Sequence, residues 1–512
     1  MVFKHKPGWY GNKLSENIKV LMDGDTSRIP WIFCVFTENH EPSKMAAAKA
    51  LSECLYAFAF NDIIRIDEQM RRTTSMEWFI NWRNYKLKDF FTPGMSDNER
   101  RAICIFASFN PNGFIREDAI HEMKGFEGTL SYIILRQNDW VMQVRQAASA
   151  AFTYRLHRLS ENEILAALPF AEKLKWSSRG SHGEYTKQFF SVLTSPEHQQ
   201  DLLNGLKNTN IRTRKICIEA LFSVFPPRTE YAFKHLNREP EPFLRAVIFR
   251  KLCGTGENID LIIPMFLRDK FPTNRMLAFQ YLIDADANNI YEIAEKFLLD
   301  KNASVRKAAQ KFMYEQQPDY NLREFYINNL SYISAPAICG LSEKGLQSDA
   351  VQIEPYLNNT RNDVVKSAMT SLMHLDNKRY NPVITEMLND NRPGIVKIAR
   401  DLVLKSGHPD YRRIRKIFDE TKHKHIKLKC IDVLFTAPKW SSIIYILEAM
   451  LDIEEHIRKK ALYATTRWLF NFNRSFAVPS STQVDRIRCL LHCLNDVLPH
   501  NIRKELLFVL PK

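Results

Sequence analysis

The chain repeats a short pattern of apolar, basic and small residues. In each copy an aliphatic residue is followed by Arg or Lys, then by two variable residues, and then by a small residue. The clearest copies begin at Ile115, Val144, Val305 and Ile457, and weaker copies keep the same frame. The apolar residues around each copy have helical spacing, so the pattern predicts helices that are buried along one face.

The copies recur at a nearly constant interval. The first residues of nine successive copies advance by 29 to 31 residues: Thr213, Leu244, Asn274, Val305, Ala335, Val364, Ile395, Ile426 and Ile457. Each unit has room for a first helix ahead of the marker, as at 258–269, 290–300, 382–390 and 441–452, and for a second helix after it. A unit this short cannot bury its apolar face except against its neighbours, so a stacked array is predicted.

A polar residue lies six positions before many of the basic residues. An Asp or Asn at this place suits a tight turn between the two helices of a unit. The residues concerned are Asn110, Asp139, Asn208, Asp269, Asp300 and Asp452, which precede Arg116, Arg145, Arg214, Arg275, Arg306 and Arg458.

The repeated pattern resembles the short HEAT repeat of about 30 residues that also occurs in phycocyanobilin-lyase-like proteins. The resemblance covers about residues 97–512, although Pro336, Val365 and Val396 depart from it at the basic position. It implies an all-α solenoid, a superhelix of about 12 to 14 stacked helix pairs without a sheet. It also implies that the Asp and Arg side chains form a ladder of ion pairs between units, and that the protein is a scaffold or adaptor.

Interruptions of the repeat predict three regions. Residues 1–95 have no readable frame and are predicted to be an N-terminal cap region with degenerate helices near 43–50 and 77–88. Residues 96–470 form the array, with one degenerate unit near 181–188. Residues 471–512 are predicted to be a loop that contains Pro479 and then C-terminal capping helices, because 45 residues separate Ile457 from Ile502.

Cysteine and aromatic residues are predicted to pack rather than to react. Cys217, Cys339 and Cys430 occupy the small-residue position and are expected to be buried like alanine. The same helical face carries Cys489, His492 and Cys493, but this spacing does not match a zinc knuckle, so packing is expected there too. An aromatic stripe, Trp78, Trp82 and Tyr85, is typical of a core. We therefore predict no metal site and no cofactor.

The motifs of the common enzyme classes are absent from the sequence. There is no glycine-rich phosphate loop, no Gly-x-Ser-x-Gly elbow, no His-Glu-x-x-His and no Cys-x-x-Cys. The HEAT-like alkylpurine DNA glycosylases do catalyse a reaction, but no Asp or Trp here aligns with their catalytic pocket. The chain is therefore predicted to have no catalytic residues, and a glycosylase-type enzyme is the remote alternative.

The net charge of +14 adds a second functional hypothesis. The first is a scaffold that binds a protein partner along its groove; the second is binding of nucleic acid or another polyanion through a basic ridge. That ridge comprises Lys307, Lys366, Lys397, Arg412, Arg413, Arg415, Lys427 and Lys459. No apolar stretch predicts a membrane span or a secretory signal, so a cytoplasmic location is expected.

Overall fold

The computed structural model describes residues 9–74, 80–156, 158–177, 183–193, 195–224, 234–256 and 259–511. These residues form α-helices and short 3₁₀ helices, and no β-strand lies among them. The fold is therefore an all-α solenoid of stacked helix pairs, as predicted. Two compact units divide the chain, Met1–Ile262 and Ile263–Lys512. In the described ranges, no helix is long and apolar enough to cross a membrane.

The first unit holds the N-terminal helices and the first pairs of the array. Before the array lie α1 to α5: Trp9–Asn12, Leu14–Met22, Ile29–Cys34, Glu41–Cys54 and Phe60–Thr74. The helices α6 to α14 follow: Asp97–Ala107, Gly113–Met123, Leu130–Arg136, Met142–Arg155, Glu161–Leu174, Gly183–Leu193, Gln199–Gly205, Ile211–Val224 and Pro242–Thr255. The degenerate unit predicted near 181–188 coincides with α11.

The second unit continues the same alternation of first and second helices. Helix α15 (Ile259–Leu267) contains the residue at which the units divide. After it come α16 to α23: Pro272–Asp284, Ile290–Leu298, Ala303–Gln316, Leu322–Asn329, Ser334–Lys344, Ala350–Ile353, Asn362–Leu375 and Asn377–Glu386. The last helices are α24 to α30: Pro393–Ser406, Tyr411–Glu420, Lys424–Leu434, Lys439–Ala449, Glu455–Phe470, Ser481–Cys493 and His500–Val509.

The predicted polar residue closes the turn between the two helices of a unit. Asp300, for example, accepts a hydrogen bond through Oδ1 from the backbone N–H of Asn302 at 2.7 Å. The equivalent bond, to the N–H two residues further on, is made by all six predicted residues, at 2.7 to 3.0 Å: Asn110, Asp139, Asn208, Asp269, Asp300 and Asp452. This bond fixes the chain direction between helices.

The small-residue position is buried, with one correction to its register. Cys217 and Cys430 are fully buried as predicted, whereas Cys339 is half-buried. In α20 the buried small residue is Gly340, one position later. An added Cβ there would lie 2.1 Å from the Tyr326 ring, so only glycine fits against that ring. The prediction that Cys339 packs like alanine was therefore wrong by one residue.

The N-terminal region contains the predicted helix near 43–50, which extends over the whole of α4. The predicted helix at 77–88 is wrong in its described part, where Trp82–Asn84 and Leu87–Phe90 form 3₁₀ helices. Trp82 is buried and donates from Nε1 to the Thr74 carbonyl oxygen at 2.9 Å, which pins the chain in this irregular path. Trp78 lies outside the described residues.

The predicted interruption near the C-terminus is confirmed. Helix α28 ends at Phe470, the 3₁₀ helix Phe472–Arg474 follows, and α29 begins only at Ser481. Lys439 holds the intervening chain by donating from Nζ to the carbonyl oxygens of Phe472 and Ser475, at 2.9 and 2.7 Å. The three-region division of the whole chain stays a prediction.

Candidate functional site

A row of buried and half-buried ion pairs joins successive helix pairs within each compact unit. The basic residue of one repeat binds the carboxylate at the turn of the next, 23 to 25 residues further along, with N–O distances of 2.6 to 3.0 Å. These pairs are Arg116 with Asp139, Arg214 with Glu239, Arg275 with Asp300, and Lys427 with Asp452. The ladder expected from the resemblance is thus present, and its side chains bind one another within the folded array.

Arginines at this basic position also close the turn of their own repeat. Arg306 Nη1, for example, donates to the Asp300 carbonyl oxygen at 2.9 Å. Arg116, Arg145, Arg214, Arg245, Arg275 and Arg458 donate in the same way to the carbonyl six residues earlier. Because these carbonyl oxygens lie just past the end of the first helix, the arginine satisfies acceptors that no helical N–H reaches.

Glu239 shows how strongly the ladder binds its carboxylates. Burial raises the pKa of the Glu239 carboxyl, but hydrogen bonds with His235, Arg214 and the Glu241 N–H, together with the Arg214 charge, outweigh burial and bring the pKa to about 2. The ionised form is therefore part of the folded structure.

The residues of the predicted basic ridge do not form one continuous run of unpaired cations. Five of them lie on second helices, whereas Arg412, Arg413 and Arg415 lie on the first helix α25. Carboxylates bind four members: Arg413 pairs with Glu386, Arg415 with Asp419 and Glu448, Lys427 with Asp452, and Lys459 with Glu455. Lys307, Lys397 and Arg412 are exposed, and Lys366 is half-buried.

A different group of cations converges on the second helices α24, α26 and α28. The carboxylate of Asp432, on α26, lies 2.6 Å from Lys460 Nζ, 3.7 Å from Lys429 Nζ and 3.9 Å from Arg400 Nε. Arg400 also binds Asp401 at 3.0 Å. We call this group, with the aromatic residues described next, the cationic face.

Aromatic side chains lie beside these cations. The Arg467 guanidinium stands 5.5 Å from the centre of the Phe435 ring and 6.0 Å from that of Tyr463. Tyr463 is 65% exposed and Phe470, about two turns further along α28, is 83% exposed. The cationic face thus offers both positive charge and apolar contact area.

Spacing of the repeat explains how these residues meet. Lys429 and Lys460 are 31 residues apart, as are Asp401 and Asp432, so each pair occupies equivalent places on successive second helices. Lys429 and Lys460 lie three residues after their markers, Ile426 and Ile457, whereas the predicted ridge used the first or second residue after the marker, as at Lys427 and Lys459. The same 31-residue interval could have revealed the pair.

The energetics leave the cationic face available for binding. The side chains of Arg400, Lys429, Asp432 and Lys460 are 22 to 30% exposed. Ion pairs at such exposure contribute only about 0 to 1 kcal/mol because water competes for the charges. Three cations share one carboxylate here, with Asp401 as the second, so positive charge remains in excess.

The predicted packing of Cys489, His492 and Cys493 was wrong. All three side chains are exposed, because Val484, Ile487, Leu490 and Leu491 form the packed face of α29. Within the part of the chain that the structure describes, no three His, Cys, Asp or Glu side chains are grouped so that they could hold a metal ion.

Comparison with known proteins finds similarity in solved structures alone. No family model matches the sequence. No curated protein has a similar sequence. Similar solved structures include Kap121p, with 11% identity, a TM-score of 0.32 and coverage of 97% of this chain and 65% of that chain. Importin beta has 10% identity and a TM-score of 0.34, and the match covers 95% of this chain and 68% of that chain. Yeast importin-beta (Kap95p) has 11% identity and a TM-score of 0.32, and the match covers 96% of this chain and 63% of that chain. This chain therefore spans about two thirds of the length of the structures that it resembles.

Proposed function

We propose that this chain is a non-enzymatic helical-repeat scaffold that binds a protein partner across the exposed face of the second helices in its second unit. The observation that carries the proposal is the cationic face. Its charged side chains are partly exposed, and three cations share two carboxylates. The aromatic neighbours Tyr463 and Phe470 are exposed to solvent. Aromatic and arginine side chains together are typical of the energetic centres of protein interfaces.

The division of charge within the array supports this proposal. Ladder residues such as Arg275 are buried and bonded in the ion pairs that join successive helix pairs. Lys429 and Lys460 lie two residues beyond the basic position of their repeats, which is Lys427 and Arg458, and they bind the Asp432 side chain rather than a turn. Their concentration on adjacent helices, with more cations than carboxylates, supports a ligand of opposite charge.

A groove continues the same surface towards the earlier repeats. It has a volume of about 380 Å³ and lies between α20, α22 and α24. Its lining includes Glu343, Thr370, His374 and Lys405. The mixture of polar and apolar lining suits side chains of a bound protein segment.

The alternative is a polyanion bound along the basic ridge. The ridge carries ion pairs at Arg413, Arg415, Lys427 and Lys459. A phosphate backbone would have to displace these carboxylates or lie close to them, which favours the protein partner.

Site-specific photo-crosslinking in cells tests the proposal. Benzoylphenylalanine would replace Tyr463 on α28 and Thr370 on α22, and a control would place it at the exposed Arg412 on the first helix α25. We expect discrete protein adducts at Tyr463 and Thr370 that survive nuclease treatment. The control position should give none of these adducts.

Two results would overturn the proposal. If Tyr463 and Thr370 give no protein adduct beyond that of the control, the second helices are not a binding face. If the adducts disappear on digestion with nuclease, the ligand is nucleic acid and the ridge hypothesis replaces the scaffold.

A further inference from the structure

We infer that the partner of the cationic face presents an acidic segment, with carboxylates that meet Arg400, Lys429 and Lys460 and an apolar side chain that packs on Tyr463 and Phe470. This inference rests on the proposed function and names the chemistry of the partner. It commits to a peptide segment of a protein, recognised by charge and aromatic contact.

The charges that face this surface are predominantly positive. Around Asp432 the three cations are opposed by that carboxylate and by Asp401. Elsewhere on the same three helices, Lys427 pairs with Asp452 and Lys459 pairs with Glu455. The other exposed or half-exposed cations there are Lys397, Lys405, Lys424, Arg458 and Arg467. A carboxylate from a partner can bind between two of the cations without displacing Asp432.

The position of the cations limits the number of acidic residues of the partner that bind them. Arg400, Lys429 and Lys460 belong to three successive second helices, but their charged atoms all lie within 2.6 to 3.9 Å of the Asp432 carboxylate. Side chains that meet at one carboxylate present a single compact cluster of positive charge. We therefore expect a single Asp or Glu of the partner, or two adjacent ones, to bind this cluster.

The aromatic residues define the other half of the recognition. The Arg467 guanidinium lies 5.5 Å from the centre of the Phe435 ring and 6.0 Å from that of the exposed Tyr463 ring. Phe470 lies about two turns beyond Tyr463 on α28 and is 83% exposed. An apolar partner residue next to the last carboxylate would remove both rings from water, which is favourable in proportion to the area buried.

The same geometry disfavours a nucleic acid at this place. The three cations exceed the two carboxylates, Asp401 and Asp432, by one charge, which matches a single partner carboxylate better than a chain that carries a phosphate at every nucleotide. The Tyr463 and Phe435 rings are already in contact with Arg467, so they are not arranged as a stack for successive bases.

Selection from a random twelve-residue peptide library, displayed on phage, tests the inference on the full chain. The test variant of the protein replaces Arg400, Lys429 and Lys460 by Gln. A matched control replaces Lys378, Arg412 and Lys416, exposed cations on the first helices α23 and α25, by Gln and so removes the same charge. Circular dichroism and thermal unfolding would show that both variants keep the fold.

We expect the selection to enrich peptides that are rich in Asp and Glu and that contain an aromatic or aliphatic residue. Their synthetic forms should bind the control as they bind the parent, and should bind the Arg400, Lys429 and Lys460 variant about tenfold more weakly. A twelve-nucleotide single-stranded RNA should not compete at equal concentration.

Several outcomes would overturn the inference. These are enrichment of peptides without acidic residues, equal binding to both triple variants, effective competition by the RNA, or no enrichment at all. None of them decides the proposed function, because the protein adducts at Tyr463 and Thr370 are measured separately. Adducts without acidic enrichment would mean a protein partner of different chemistry.

Discussion

Arg306 and Arg458 occupy the same position of the repeat but have different partners, so their replacement by Ala is expected to have unequal effects. Arg306 is 3% exposed, binds the Glu343 carboxylate through Nη2 at 2.5 Å and Nε at 3.3 Å, and donates to the Asp300 carbonyl. Arg458 is half-buried and donates to the carbonyl oxygens of Asp452 and Ile453.

The structure sets the size of each effect. Removing one partner of a buried ion pair costs about 3 to 5 kcal/mol. Glu343 is 17% exposed and keeps a hydrogen bond from Gln310, so Arg306→Ala is expected at the lower end, about 3 kcal/mol. Arg458→Ala removes hydrogen bonds to carbonyls that water can reach, which costs about 1 kcal/mol.

Hydrogen exchange followed by mass spectrometry on the full chain measures these effects locally, because a repeat array opens in segments. Arg306→Ala should speed exchange in α18 and α20 roughly 100-fold, since 1.4 kcal/mol corresponds to a factor of ten. The change in α28 on Arg458→Ala should be roughly fivefold. Glu343→Gln, alone and combined with Arg306→Ala, completes a double-mutant cycle that isolates the pair.

Two results would refute the reasoning. Equal acceleration by Arg306→Ala and Arg458→Ala would mean that the carboxylate of Glu343 adds nothing to the stability of the joint. Unchanged exchange together with loss of the protein adduct at Tyr463 would place the two arginines in the binding site rather than in the fold.

Three further predictions follow from individual side chains. The pKa of Glu239 is about 2 in the folded chain, against an ordinary value of 4.5, so the ionised carboxylate stabilises the fold fully above pH 4.5 and loses this effect as the pH falls towards 2. The difference in Tm between the parent and Glu239→Gln should therefore narrow over that pH interval. A difference in Tm that stays constant would contradict the lowered pKa. Gly340→Ala should destabilise the chain by about 1 to 3 kcal/mol, because the added Cβ overpacks against the Tyr326 ring. Gly254→Ala, with no atom within 4 Å of the added Cβ, should stabilise its helix by up to about 1 kcal/mol. Denaturation in urea compares the two variants, and equal changes in stability would exclude the clash with Tyr326. Cys489 and Cys493 are exposed and should react first with a thiol reagent; the fast phase should vanish when both are replaced by Ser, and its persistence would show that another cysteine is accessible.

The fold was predictable because each step depends on local spacing. The interval of about 31 residues between markers such as Val305 and Ile457 specifies a helix pair, and the Asp or Asn before the basic residue specifies the turn. Burial of the marker and of the small residue then follows, since a pair this short must pack on its neighbours. The ion-pair ladder was expected from the HEAT resemblance, and the structure confirms it.

The errors have tertiary causes. In α20 the register is set by the Tyr326 ring, which contacts Gly340, and nothing in the local pattern distinguishes Gly340 from Cys339. In the N-terminal region, the hydrogen bond from Trp82 to the Thr74 carbonyl holds an irregular path that helical spacing does not show. Such contacts join residues whose proximity depends on the packed structure.

The cationic face was missed for a related reason. Whether Arg400 and Lys460 meet at Asp432 depends on the direction in which neighbouring second helices turn their side chains towards each other. The sequence showed that Lys429 and Lys460 are equivalent positions, but it did not show which equivalent positions converge. The predicted ridge instead included Lys427 and Lys459, which already have carboxylate partners.

The two sets of charges in this array should respond differently to salt, and this difference separates stability from binding. Ladder pairs such as Arg275 with Asp300 are buried and are screened little, whereas Lys429 and Lys460 are half-exposed. At 1 M salt the Debye length is about 3 Å, so attraction between the cationic face and an acidic partner is largely removed while the ladder persists. The adduct at Tyr463 should therefore decline with salt at constant helix content. A parallel loss of helix would mean that the exposed cations also hold the array together.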